Sequence, residues 1–146
     1  MYLITACLVG INCRYDATST LNFKLKEMIG EGKVIAVCPE VLVGLPSSRE
    51  PCEIQIKDGV KCVIGIFGKD YTNLFEKAAI ETLKICKRES IQNVILQSRS
   101  PSCGYGKIYN GSFKSKLIDG NGYTADLLSK NGIEILKDVK YLRNKD

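Results

Sequence analysis

The sequence predicts an α/β fold: a three-layer, Rossmann-like sandwich around a mainly parallel sheet. Short apolar runs rich in strand formers alternate with segments of helical periodicity, as a parallel sheet with crossover helices requires. The chain has 146 residues, a length at which one domain buries roughly 70% of its unfolded surface and needs no disulfides. Its apolar fraction of 45% and charged fraction of 25% are ordinary for a globular protein. We therefore expect a single domain over residues 1–146, with β-hairpins added to the sheet.

Four segments are predicted to form the sheet, because each is short, apolar and rich in strand-forming residues. They are residues 2–6, 34–37, 93–96 and 133–136. Apolar residues recur at helical spacing in three other segments. These predicted helices are residues 22–29, residues 70–88 and residues 125–130, the last with Thr124 as its N-cap.

Turn-forming residues predict two hairpins beside the sheet. Residues 53–67 place two strand-forming runs on either side of an Asp-Gly pair, and residues 107–113 contain an Asn-Gly pair that predicts a tight turn. Before the last helix, Gly120 and Gly122 are compatible with a phosphate cradle, although a glycine pair alone is a weak signal.

The composition excludes several kinds of catalytic site. The chain has no histidine, which rules out Ser-His-Asp and Cys-His catalysis, histidine-ligated zinc and a histidine general base. Its seven cysteines are an odd number and include no C-x-x-C pair. In a reducing compartment we expect them to be thiols or metal ligands, and we predict neither a zinc ribbon nor a thioredoxin-type redox site.

Charge and hydropathy limit the expected partners. The net charge of +5 comes from lysines and arginines scattered along the chain, which favours a solvated surface over a nucleic-acid-binding stripe. No segment approaches the run of about 18 apolar residues that spans a membrane, and the amino terminus has no basic leader. We therefore expect a cytoplasmic protein that contacts no membrane and is unlikely to bind nucleic acid.

Three cysteines, Cys7, Cys38 and Cys103, lie at or just beyond the carboxyl ends of predicted strands. Ligands of parallel α/β sheets bind outside that edge, so the three thiols are expected to converge there. Three thiolates without histidine fit a soft metal or an iron–sulfur cluster better than zinc, which takes four protein ligands in structural sites. Three ligands to a [4Fe-4S] cluster leave one iron open to a substrate. A chance placement of core cysteines is the alternative.

The stretch around Cys103, residues 98–106, is made of small, turn-forming residues that follow an apolar strand. Ser100-Pro101 favours an extended chain before the turn, and Gly104 permits close approach by a ligand. This setting suits a metal or cluster ligand. A surface turn with an incidental cysteine is the alternative.

Charged residues accompany these thiols in the sequence. Arginines near them would offset a cluster's negative charge, and Glu40, two residues from Cys38, would move a proton or orient water. Surface ion pairing is the alternative for each arginine. The arginines are Arg14, Arg49 and Arg99. The later cysteines are predicted to be apolar fillers or exposed thiols. They are Cys52, Cys62 and Cys86.

Several short segments, in order along nearly the whole chain, resemble a bacterial family long catalogued as a domain of unknown function that includes the thiouracil desulfurases. They are Thr5-Ala6-Cys7-Leu8-Val9-Gly10, Arg14-Tyr15-Asp16, Cys38-Pro39-Glu40, Gly44-Leu45-Pro46 with Arg49, Ser100-Pro101-Ser102-Cys103-Gly104, and Ile108-Tyr109-Asn110-Gly111-Ser112-Phe113. Each segment is short, but their combination is specific.

The resemblance implies a cofactor and an activity. Members of the family are similar in binding a [4Fe-4S] cluster through three cysteines and in removing sulfur from thiolated uracil. It implies Cys7, Cys38 and Cys103 as the cluster ligands, with catalytic roles for Glu40 and for a serine of the turn, Ser100 or Ser102. The chain departs from the family pattern at Cys13 and Cys52, either of which is a possible substitute ligand.

Two classes of function are consistent with the sequence. In the first, an iron–sulfur enzyme takes the sulfur of a small thiolated nucleobase onto the open iron and lets water replace it. This hydrolytic reaction releases uracil and sulfide without an external electron donor. In the second, the same thiols serve a non-catalytic metal-binding or sulfur-carrier protein. Desulfuration of thiolated tRNA nucleotides is less favoured, because the chain has no evident RNA-binding segment. The sequence does not specify an oligomeric state.

Overall fold

The computed structural model describes residues 2–6, 34–46 and 48–137. In chain order its elements are β1 (Tyr2–Thr5), β2 (Val34–Val37), α1 (Pro39–Leu42), β3 (Cys52–Lys57), β4 (Val60–Gly65), α2 (Thr72–Arg88), β5 (Asn93–Leu96), β6 (Lys107–Tyr109), β7 (Leu117–Asp119), α3 (Tyr123–Lys130) and β8 (Glu134–Lys137).

Within the described residues the central sheet has four strands in the order β2-β1-β5-β8, and every neighbouring pair is parallel. In the register, Leu3 pairs with Ile35 on one side and with Val94 on the other, and Val94 pairs with Ile135. All four strands were predicted, because continuous apolar runs are typical of strands buried on both faces. The α/β class and the mainly parallel sheet are confirmed.

Side chains alternate between the two faces of the sheet. Leu3 and Val94 lie on the face that packs against α2 and α3, and Ile4 and Ile95 lie on the opposite face. All four side chains have no exposed surface. Both faces of the two central strands are therefore buried. The helix predicted over residues 22–29 lies outside the described residues.

The long helix α2 follows the predicted pattern closely. Asp70 precedes it and its carboxylate accepts the Thr72 N–H at 2.7 Å, which satisfies one of the unpaired donors of the first turn. The buried face of the helix carries Phe75, Ala78, Ala79, Thr82 and Cys86. The prediction that Cys86 is an apolar filler agrees with its exposure of 1%.

The start of α3 differs from the prediction. The helix is capped by Gly122 and not by Thr124, which lies inside the first turn and has no exposed surface. The Thr124 N–H donates to the Ser102 carbonyl at 2.9 Å. Thr124 was a wrong choice of N-cap, because a backbone carbonyl distant in sequence satisfies the donors that a capping side chain would accept.

The hairpin of β3 and β4 is confirmed, with Asp58 (φ 51°) and Gly59 (φ 76°) in its two-residue turn. Both residues have positive φ, as a type I′ turn requires. A second hairpin joins β6 to β7, but the tight Asn-Gly turn predicted there is wrong. The connection spans residues 110–116. Its backbone is drawn toward β3, where the Glu53 carboxylate accepts N–H groups from this loop.

The side chains of both hairpins and the first half of α2 form a second hydrophobic cluster. Its buried members are Ile54, Val63, Phe75 and Ile108. No helix among the described residues is long and apolar enough to cross a membrane. The single domain over residues 1–146 and the location in the cytoplasm stay predictions.

Gly111 and Gly59 allow a matched test of the second hairpin loop. Both have positive φ, so alanine at either costs about 1 kcal/mol of backbone strain. A Cβ at Gly59 would meet nothing within 4 Å, whereas at Gly111 it would lie 2.5 Å from Gln55 Cγ and 2.8 Å from the Ile54 carbonyl oxygen. We expect Gly111→Ala to lower the free energy of unfolding by about 2 kcal/mol more than Gly59→Ala. Urea denaturation measures the difference, and equal losses would show that the loop does not press on β3.

Candidate functional site

A cavity of about 300 Å³ lies beyond the carboxyl ends of the strands. Its walls include Thr5 at the end of β1, the residues that follow β2 and β5, the segment 49–53, and Tyr109 at the end of β6. Parallel α/β sheets place their ligand sites at this edge, because the loops that follow the strands diverge there.

The cavity brings together four of the six predicted site residues, Cys38, Glu40, Ser100 and Cys103. Ser102 does not line it and is 1% exposed. Cys7 lies outside the described residues, as do Cys13 and Arg14. In sequence Cys7 follows β1 by two positions, and β1 is the strand between β2 and β5.

Cys103 is held by hydrogen bonds from both sides. The Thr5 hydroxyl donates to the Cys103 sulfur at 3.6 Å and accepts the Gln97 N–H at 3.1 Å. The Cys103 N–H donates to the Ser100 hydroxyl oxygen at 2.7 Å. Thr5 therefore links the ends of β1 and β5 to the thiol, and Ser100 fixes the turn that carries it.

The loop that carries Cys103 is docked on the first turn of α3. The Tyr123 N–H donates to the Pro101 carbonyl at 2.8 Å, and the Thr124 and Ala125 N–H groups donate to the Ser102 carbonyl at 2.9 and 3.0 Å. These loop carbonyls take the donors that usually bind an anion at a helix start. The phosphate cradle considered at Gly120 and Gly122 is therefore wrong.

Gly122 and Ser102 show how closely the loop and helix approach. A Cβ at Gly122 would lie 2.4 Å from the Ser102 carbonyl carbon. The Ser102 hydroxyl oxygen is buried and has no hydrogen-bond partner among the described residues. Ser102 thus faces the loop–helix contact and not the cavity.

Glu40 enters the cavity from the short helix α1, which the sequence analysis missed. Cys38 is the N-cap of this helix and Pro39 opens it, a position that suits proline because no N–H is needed there. The Glu40 carboxylate pairs with the Arg49 guanidinium at 2.8 Å, and Arg49 also donates to the Pro46 carbonyl at 2.7 Å. Burial raises the pKa of Glu40, and the charge of Arg49 opposes that rise. The Glu40 carboxylate is therefore largely shielded from solvent, and it lies two residues from Cys38, a candidate metal ligand.

Two more carboxylates line the cavity, but both are engaged in the wall. Glu50 accepts the Phe67 N–H at 3.1 Å and the Tyr71 hydroxyl at 2.9 Å, one on each oxygen. Glu53 accepts the Gly111 and Phe113 N–H groups through one oxygen, at 2.9 and 3.2 Å. These hydrogen bonds hold together the segments that they join. Of the three described carboxylates on the cavity wall, Glu40 is the one paired with a side-chain cation.

Cys52 also lines the cavity, and its environment keeps it protonated. Burial, with the nearby carboxylates Glu40 and Glu50, raises the pKa of Cys52 to about 12. Among the described residues, no three cysteine or carboxylate side chains are grouped so that they could hold a metal ion. Cys52 therefore does not complete a metal site with Cys38 and Cys103. The third cysteine of the predicted trio, Cys7, lies outside the described residues.

Arg99 lines the cavity with an exposed side chain and a backbone φ of 71°. Non-glycine residues seldom adopt this conformation, and they do so more often at functional sites. The sequence predicted a positive charge at Arg99 near the thiols, but it did not predict the positive φ of this residue. Sequence reasoning also missed Thr5 and Tyr109 as residues of the cavity wall, and the only signal for either was its place in a family-like segment.

Comparisons with known proteins agree with this geometry. The family model described as 2-thiouracil desulfurase matches residues 2–139. The uncharacterized protein YbbK of Bacillus subtilis (strain 168) is 38% identical over 144 residues, which cover 94% of this chain and 95% of that protein. The solved structure of the [4Fe-4S]-dependent thiouracil desulfidase TudS is similar with a TM-score of 0.88 and 35% identity, covering 97% of this chain and 93% of that chain.

The hydroxyl of Thr5 allows a test of how Cys103 is held. Thr5→Val keeps the side-chain shape but removes the donor to the Cys103 sulfur and the acceptor of the Gln97 N–H. We expect it to lower the free energy of unfolding by about 2 kcal/mol. Thr82 is the control, because its buried hydroxyl only adds a bond to the Ala78 carbonyl within α2. Thr82→Val should change stability by less than about 0.5 kcal/mol. Urea denaturation measures the free energy of unfolding of both variants. Similar losses would show that the hydrogen bonds of the Thr5 hydroxyl contribute no more to stability than the bond of Thr82 within its helix.

Proposed function

We propose that the chain, which belongs to the 2-thiouracil desulfurase family, removes sulfur from thiouracil or a related thiolated nucleobase. The proposed reaction is hydrolytic. Water supplies the oxygen of the new carbonyl, sulfur leaves as hydrogen sulfide, and no electrons are exchanged. The main support is that Cys38, Cys103 and Glu40 line one cavity at the sheet edge beyond β1.

We propose a [4Fe-4S] cluster as the cofactor, held by Cys7, Cys38 and Cys103. The donor set fits such a group: two of these three cysteines line one cavity, Cys7 follows the strand between those that precede Cys38 and Cys103, and the chain has no histidine. TudS, the structural relative, is [4Fe-4S]-dependent. When bound through three cysteines, a cluster supplies an uncovered iron, a soft Lewis acid matched to a thiocarbonyl sulfur.

In the proposed mechanism Glu40 accepts the proton of the water that attacks the thiocarbonyl carbon. Its burial favours this role, because a carboxylate with a raised pKa is a stronger base than an exposed one. Arg49 keeps the carboxylate in place through its 2.8 Å ion pair. Without that cation the buried charge would be uncompensated.

The serines have different proposed parts. The Ser100 oxygen accepts the Cys103 N–H, so its own O–H can donate to a ligand in the cavity. Ser102, predicted as a second catalytic candidate, is buried at α3. We propose that Ser102 only positions the Cys103 loop, because its carbonyl accepts hydrogen bonds from the first turn of the helix.

The size and charge of the cavity favour a small substrate. A volume of about 300 Å³ suits a compact ligand and not an enclosed polynucleotide. Arg49 on its wall is paired with Glu40, and the exposed Arg99 side chain adds a positive charge that would offset the charge of thiolates. A free thiolated base is therefore the proposed partner.

Serine replacements test the cofactor. We expect Cys7→Ser, Cys38→Ser and Cys103→Ser to lose bound iron after anaerobic reconstitution, because a hydroxyl is too hard a ligand for this site. Cys52→Ser is the matched control from the same cavity and should keep full iron content, since Cys52 remains a thiol. Iron per protein and the visible absorbance of the cluster are the measurements. Full iron loading and turnover in Cys103→Ser would contradict the ligand assignment.

Two amide replacements test the base. Glu40→Gln should keep its iron but lower kcat for thiouracil about a hundredfold, within the usual range for loss of a general base. Glu50→Gln removes a carboxylate that lines the same cavity but is bonded to the Phe67 N–H and the Tyr71 hydroxyl. It should lower the free energy of unfolding by about 1 kcal/mol and leave kcat within a few fold of native. Unchanged kcat in Glu40→Gln would remove Glu40 from the mechanism.

A further inference from the structure

Tyr109 is the one aromatic residue among the described residues that line the cavity. It ends β6 and is half-buried. The remaining described walls come from charged, hydroxyl, thiol, amide and proline residues, so no other aromatic ring lines this part of the cavity.

The hydroxyl of Tyr109 makes no hydrogen bond with the described residues, unlike the hydroxyls of two other described tyrosines. The Tyr71 hydroxyl donates to Glu50 at 2.9 Å, and the Tyr123 hydroxyl donates to the Lys61 carbonyl at 3.0 Å. Those two side chains are engaged in the fold. Tyr109 thus offers the cavity both a ring and a hydroxyl that can donate or accept.

The backbone around Tyr109 is fixed from two sides. Gly111, two residues on, donates its N–H to Glu53 and accepts the Gln55 side-chain amide at 2.9 Å. Ile108, one residue before, forms a β-bridge with Arg99 in the loop after β5. A side chain on so constrained a segment is pre-organised for a contact, which reduces the entropy lost on binding.

We infer that Tyr109 is the substrate-contact residue that selects a planar heteroaromatic thioamide over a saturated one. Its ring packs against the face of the base, and its hydroxyl bonds a polar group on the base edge. Stacking on an aromatic side chain distinguishes a flat ring from a puckered one with the same donors and acceptors. This inference rests on the proposed desulfuration and adds the feature by which the site recognises its substrate.

The test compares 2-thiouracil with 5,6-dihydro-2-thiouracil, which keeps the thioamide and carbonyl but has a puckered, saturated ring. Steady-state kinetics of the iron-loaded native protein, Tyr109→Leu and Tyr109→Phe give kcat and KM for each compound. Tyr109→Leu should raise KM for thiouracil about tenfold, with kcat within about twofold of native, and lower the preference for the flat ring by a similar factor. Tyr109→Phe retains the ring and should retain the preference.

Phe67→Leu is the control, because this aromatic residue is 85% exposed and does not line the cavity. It should match the native protein, and iron content and thermal stability of every variant separate a contact role from a structural one. An active native enzyme whose Tyr109→Leu variant keeps the same KM and preference would overturn the inference alone. Iron-loaded native protein that does not turn over thiouracil would instead overturn the proposed function and the inference with it.

Discussion

The position of Cys103 depends on the hydrogen bonds between its loop and the first turn of α3. A helix start presents unpaired N–H donors, and here the Pro101 and Ser102 carbonyls accept them. These hydrogen bonds fix the loop to a helix that packs in the main core through Ala125 and Leu128. The same contact explains why the helix needs no capping side chain and why no phosphate site forms there. One set of backbone hydrogen bonds thus caps the start of the helix and fixes one wall of the cavity.

The three carboxylates described on the cavity wall differ in their hydrogen-bond and ion-pair partners. Glu50 and Glu53 accept N–H or O–H groups from the wall, so their charge holds neighbouring segments together. Glu40 instead faces a single arginine in a buried setting, where desolvation and ion pairing act on its pKa in opposite directions. Cys52 stays protonated beside these charges. The same carboxylate group therefore has a structural role at Glu50 and Glu53 and a proposed catalytic role at Glu40.

Local sequence patterns predicted the features that depend on local physics. Continuous apolar runs identified β1, β2, β5 and β8, and the strand ends correctly placed Cys38 and Cys103 on one edge. Contacts between residues distant in sequence were not predictable in this way. The Asn-Gly pair at residues 110–111 lost its tight turn because Glu53 binds the loop, and Thr124 lost the cap because Ser102 supplies a carbonyl. The link from Thr5 to Cys103 joins residues 98 positions apart, so no sequence window contains it.

That link also orders events during synthesis of the protein. Cys103 leaves the ribosome 98 residues after Thr5, a delay of roughly 5–20 s at ordinary translation rates. The loop of Cys103 then needs α3, which ends at Lys130, before its carbonyls have their donors. The nascent chain therefore carries Cys38 without a formed cavity until the segment from Cys103 to Lys130 has been made.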